Sequence, residues 1–100
     1  DVIRYEGGST VGGPATMYPS ARDTVAAWGR LNRCGALAMT ATHLDLETSV
    51  MGDETVVSRH ESCMGGAAEL WAIEGGGHLP TLSTAWAASI YDWLSAHPRP

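Results

Sequence analysis

Apolar positions recur along this chain with two different periods, and the switch between them marks its elements. Ala21, Val25, Trp28 and Leu31 lie four, three and three residues apart, a spacing that puts them on one face of a helix and predicts that this face is buried. Ser20 precedes the run as an N-cap. Asp23 takes the capping-box position, where its charge also favours the positive end of the helix dipole. The helix is expected to stop near Asn32–Arg33, just before Cys34. A second helical run carries Trp86, Ile90, Trp93 and Leu94, with Ser83 as its cap and Pro98 past its end, since proline disfavours helix in the residue before it. Its tryptophan-rich face needs something to pack against.

Between the helices the pattern is β-like. The β-branched run Thr55–Val56–Val57–Ser58–Arg59–His60 reads as one strand, and residues 68–73, Ala–Glu–Leu–Trp–Ala–Ile, read as another. Residues 61–67, which hold two glycines and Cys63, connect the two, so a hairpin is expected. Residues 35–54 keep no period of either kind and are rich in Thr, Asp and Gly, which predicts a surface excursion with one short strand at most. At the start, Val2–Ile3–Arg4–Tyr5 looks like the end of a strand. Glycines and Pro14 keep the following segment, residues 7–14, out of any helix.

At 100 residues, 44% of them apolar, the chain can bury one modest core, so a single domain or a piece of one is expected. The piece is favoured here, because the chain opens at Asp1 with no Met, no signal sequence and no capped element. Its net charge is −5, and its six basic residues, all Arg, are scattered, which argues against nucleic acid as a partner. No apolar stretch is long enough to span a membrane as a helix. Cys34 and Cys63 flank the polar middle segment. Paired, they would close a loop and fit an oxidising compartment; unpaired, they would be two buried thiols of a cytosolic protein.

The candidate chemistry sits at Glu74–Gly75–Gly76–Gly77–His78, where an apolar strand runs into three glycines and a histidine. Glycines turn the backbone sharply and tolerate positive φ, so an imidazole can be held at a strand end and aimed into a cleft. Strand, glycine turn, histidine, the proline-bearing loop 79–82 and an amphipathic helix together suit the general base of a Ser-His-Asp hydrolase. A lone histidine is otherwise more often a surface or core-bonded residue. The ordered set of Arg59–His60, Cys63, residues 69–78 and the closing Trp93–Leu94–Ser95–Ala96–His97–Pro98 resembles the C-terminal part of the poly(3-hydroxybutyrate) depolymerase-like esterases. These are related to secreted feruloyl and acetylxylan esterases of the α/β-hydrolase fold. The opening Val2–Ile3–Arg4–Tyr5–Glu6–Gly7–Gly8 resembles the segment just past that family's acid-bearing strand. Tyr18–Pro19–Ser20, Thr24–Val25, Trp28 and Asn32–Arg33–Cys34 resemble the helix after it.

The resemblance covers nearly the whole chain and implies an α/β architecture: a strand end, a helix, a disulfide-closed excursion, a β-hairpin, a catalytic His loop and a C-terminal helix. It makes His78 the triad base and pairs Cys34 with Cys63. It places the triad acid one residue before Asp1, or at Asp1 itself if the turn is one residue shorter. Residues 68–73 would join a mainly parallel central sheet. Two departures bear on substrate subclass: Arg4 stands where proline is common, and Leu79–Pro80–Thr81–Leu82 replaces Trp-Pro-Gly.

No Gly-x-Ser-x-Gly elbow occurs in these residues, so the nucleophile would come from a preceding part of the same domain and this piece alone should not cleave esters. His43, His60 and His97 lack zinc-site spacing and read as solvated side chains. Asp45, Glu47, Asp53 and Glu54 lack the regularity of a calcium loop and read as a hydrated face. Trp28, Trp71, Trp86 and Trp93 read as packing rather than a carbohydrate platform. The expectation is therefore the C-terminal part of a secreted serine esterase with a carboxylic ester substrate, polyhydroxyalkanoate, feruloyl or acetyl, and no cofactor. The rival is a secreted, disulfide-bonded module that binds polysaccharide or polyester through exposed tryptophans without chemistry.

Overall fold

A computed structural model describes residues 4–9 and 17–98. Asp1 and the β-like residues 2–3 lie outside them. Among the described residues, Gly8–Ser9 (β1) and Met17–Tyr18 (β2) pair as a minimal antiparallel ribbon that leads into Ala21–Leu31 (α1). Leu37–Leu44 (β3), Thr55–His60 (β4) and Glu69–Ile73 (β5) form an antiparallel sheet in that order, followed by Thr84–Ala96 (α2).

Helix α1 starts where the sequence predicts. Ser20 is extended (φ −67°, ψ 164°), and its hydroxyl accepts a hydrogen bond from Asp23 N at 3.0 Å. Its carbonyl accepts from both Thr24 N and the Thr24 hydroxyl. The expected burial of its apolar stripe is not realised, since Trp28 is 58% and Leu31 72% exposed and only Gly29 is buried. The reason is steric. A Cβ on Gly29 would lie 2.6 Å from Cε1 and Nε2 of His60, so α1 reaches the sheet through its smallest residue, and the bulky stripe beside it faces outward. His60 is accordingly half-buried and donates from Nδ1 to Gly35 O at 2.8 Å. It is a packing residue, not the solvated one expected.

The hairpin of β4 and β5 has the expected place and a register running from Thr55↔Ile73 to Arg59↔Glu69. Strand alternation sends Val56, Ser58, His60, Leu70 and Ala72 toward α1 and Thr55, Val57, Glu69, Trp71 and Ile73 toward α2, so the helices lie on opposite faces. On the α2 face Arg59 Nε donates to Glu69 Oε2 at 2.8 Å, and Trp71 Nε1 donates to Glu69 Oε1 at 2.9 Å. Burial pushes the Glu69 carboxyl up, but the indole N–H groups of Trp71 and Trp93 and the Arg59 guanidinium outweigh it and hold the carboxyl below the ordinary range. Trp93 Nε1 is buried and turned toward that carboxylate without reaching hydrogen-bond geometry.

Residues 35–54 depart from expectation, for they contain an eight-residue strand. β3 pairs Leu37↔His60 to Met39↔Ser58, then resumes at His43↔Val56. Three residues of β3 thus face Val57 alone, a bulge that breaks the alternation. The Thr40 hydroxyl bridges the gap, donating to Val57 O at 2.8 Å and accepting from Thr42 N. Cys34 and Cys63 are joined in a disulfide that ties the end of α1 to the β4–β5 connection. Asn32 reinforces that tie, its side chain donating to Ala67 O and its carbonyl accepting from Met64 N.

The core is thin. Buried apolar side chains among the described residues are Leu46, Val57, Ala68 and Leu70, alongside the polar Ser20, Glu47, Glu54, Thr55 and Ser58. No helix among the described residues is long and apolar enough to cross a membrane.

Candidate active site

The turn after β5 owes its shape to two of its three glycines. Gly75 has φ +81°, in the left-handed region, and a Cβ on Gly76 would come within 2.8 Å of Ile73 Cγ2. The Gly76 amide closes the turn onto Ile73 O at 3.2 Å. Gly77 has open space where a Cβ would point, so neither space nor φ demands glycine there. His78 follows, exposed, and no hydrogen bond among the described residues holds its ring.

His78, Gly76 and Gly77 line an open cleft of about 990 Å³. The first turn of α1, at Ala21 and Arg22, and the turn at Arg4, Tyr5 and Glu6 line it as well. That turn is fixed against the helix start. Ala21 N donates to Tyr5 O at 2.8 Å, Arg4 N donates to the Tyr18 hydroxyl at 3.0 Å, and Gly7 N donates back to Arg4 O at 3.1 Å. Gly7 is obligatory, with φ +82° and only 2.8 Å between a Cβ and Tyr18 O. Arg4 and Arg22 add positive charge to the cleft, and Glu6 and Glu74 add negative charge.

Two of the expected site residues are therefore joined in the disulfide, Cys34 with Cys63, and His78 stands at the rim of a cleft. Among the described residues no carboxylate is bonded to the His78 ring; Asp1, one of the two expected acid positions, lies outside them. Cysteines joined in a disulfide offer no thiolate to a metal. His97 is tethered rather than free, stacked on Trp93 at 4.4 Å with Nδ1 donating to Trp93 O at 2.7 Å. Trp71, Trp86 and Trp93 line a smaller groove of about 410 Å³ between β5 and α2.

The hydrated face expected of the acidic residues fails at two of them. Glu47 is 2% and Glu54 7% exposed. The Glu47 carboxylate accepts from the Ser49 hydroxyl, from Ser49 N at 2.9 Å and from Thr81 N at 3.2 Å. These donors, those of Ser49 foremost, hold its carboxyl below the ordinary range. At Glu54 burial acts upward, but the Thr55 hydroxyl and the amides of Glu47 and Leu46 outweigh it and the carboxyl is again lowered. The sequence signal was slight: two glutamates seven apart around Thr48–Ser49 with no basic residue between them. No protein-family model, curated protein or solved structure matches the chain, so the esterase resemblance rests on the residues quoted for it.

Proposed function

We propose that this chain is the C-terminal part of a secreted serine esterase of the α/β-hydrolase fold, with His78 as its general base. The observation that carries the reading is that His78 and the Arg4–Glu6 turn line the same cleft, and the resemblance places the acid just before that turn. In a triad the acid is hydrogen-bonded directly to the base, so the two segments that carry them must meet at one place. The Cys34–Cys63 disulfide is the pairing the resemblance implies and suits an oxidising compartment. Exposure of Trp28, Leu31 and Leu94 fits a piece whose apolar faces are covered by the rest of a domain. The outer edge of β5 is where a parallel sheet would continue.

Serine Oγ from that remaining part attacks the ester carbonyl carbon as His78 takes its proton. The tetrahedral intermediate collapses, and His78 passes the proton to the departing alcohol. Water, deprotonated by the same ring, then releases the acid and regenerates the serine. His78→Ala in the polypeptide that carries the serine is expected to lower kcat by about 10⁴-fold. A fall of less than tenfold removes His78 from the chemistry. The aromatic groove supports a second reading, a non-catalytic module that holds polysaccharide or polyester on Trp71, Trp86 and Trp93. The coding sequence before Asp1 separates the two: a Gly-x-Ser-x-Gly segment roughly a hundred residues earlier belongs to the enzyme, a start codon or a signal peptide to the module.

A further inference from the structure

The loop that carries His78 hangs between two fastenings, and both are made by the β3–β4 connection. At its near end Glu74 N donates to Glu54 O at 3.0 Å. At its far end Thr81 N donates to the Glu47 carboxylate at 3.2 Å, and Thr81 O accepts from Thr48 N at 2.8 Å and from the Thr48 hydroxyl at 3.0 Å. Glu47 also pairs with Leu82 as an isolated antiparallel bridge, and Ser83 N donates to Leu46 O at 2.7 Å. Glu54 completes the arrangement by holding the amides of Leu46 and Glu47 with its own carboxylate. A carboxylate with 2% exposure and, among the described residues, no cation bonded to it is tolerated only because directed donors satisfy it, and such charge-assisted bonds are stronger than neutral ones.

We infer that Glu47 is a positioning residue for His78, a buried carboxylate that pins the far end of the histidine loop at Thr81 so that the ring stays over the cleft. The inference rests on the esterase reading for what the ring does, while the pinning itself is independent of it. Charge and shape make separable contributions. In Glu47→Gln the remaining carbonyl oxygen can still accept from Ser49 N and Thr81 N, and the new NH₂ can donate to the Ser49 hydroxyl, which accepts as well as donates. In Glu47→Ala the Thr81 amide has no acceptor.

Amide hydrogen exchange on the chain reads the pin directly. Thr81 should exchange roughly tenfold faster in Glu47→Ala, the scale set by one lost hydrogen bond, and nearly as in the parent in Glu47→Gln, with the Val57 amide of β4 as the unchanged internal standard. Should Glu47→Ala also loosen β4, Ser49→Ala, which removes one donor at the turn, decides by a smaller rise confined to Thr81. Unchanged Thr81 exchange in Glu47→Ala, with β4 intact, overturns the pin. In the serine-bearing polypeptide, Glu47→Ala should lower kcat roughly tenfold at constant KM, with Glu47→Gln restoring most of it. A loosened Thr81 with unaltered kcat overturns the positioning role. Hydrolysis that survives His78→Ala removes the ring from the chemistry and the positioning role with it, whereas a Thr81 response in the same preparation leaves the pin standing.

Discussion

Replacing Cys34 and Cys63 by serine removes a cross-link between residues 29 apart in sequence. In the chain-entropy model that closure restricts the unfolded ensemble by about 12 cal/mol/K, or about 3.6 kcal/mol at 25 °C. The native side of the balance should change little. The bridge sits at the open end of the β3–β4 hairpin, where Gly35 N already donates to Glu61 O at 2.6 Å, Glu61 N donates to Ala36 O at 3.2 Å and Leu37 pairs with His60. Domains of this length are stable by roughly 5–15 kcal/mol, and a core of Leu46, Val57, Ala68 and Leu70 belongs at the low end of that range, so the disulfide is a large fraction of the total. With a urea slope of roughly 1–3 kcal/mol/M, the midpoint should fall by about 2 M. Tryptophan fluorescence reports it, since Trp71 and Trp93 are half-buried between sheet and helix. A midpoint that moves by less than about 0.5 M with an unchanged slope would refute the reasoning and place the order of residues 35–62 in the hairpin itself.

Gly29→Ala puts a Cβ 2.6 Å from the His60 ring and should destabilise by roughly 1–3 kcal/mol, although alanine is the better helix former by up to about 1 kcal/mol; His60→Ala in the same chain should relieve the loss, and a Gly29→Ala variant at least as stable as the parent in urea disproves the close approach. Glu47, Glu54 and Glu69 all have folded carboxyls lowered from 4.5, so the unfolded chain takes up protons first as pH falls. Their stabilisation is fully present above 4.5 and disappears as pH drops through the lowered folded values. Urea midpoints measured from neutral pH to about pH 3 should therefore decline on the acid side, with a flatter decline in Glu54→Gln; a midpoint that holds or rises toward acid contradicts the assignment.

What was legible in the sequence was whatever a local signal specifies. Ser20 and Asp23 mark the start of α1, and the β-branched run 55–60 and the strand before the glycines mark β4 and β5 to within a residue. β3 is hidden by its own bulge, because three residues opposite Val57 interrupt the alternation on which strand reading depends. The outward orientation of the α1 stripe escapes sequence reading for a related reason. Helical spacing says which residues share a face, not whether that face or a neighbouring glycine meets the sheet, and the choice was made by His60 reaching Gly29 across thirty residues of chain. The site divides the same way. His78 announces itself through Gly75 and Gly76, whose φ and close contact with Ile73 are local demands, and the pairing of Cys34 with Cys63 was open until the fold brought them together. Glu47 gave almost no signal, since its importance lies in Thr81, an amide thirty-four residues away. A candidate histidine is thus marked by its own neighbourhood, while the carboxylate hydrogen-bonded to Thr81 becomes visible only when the β3–β4 connection and the loop after β5 are seen side by side.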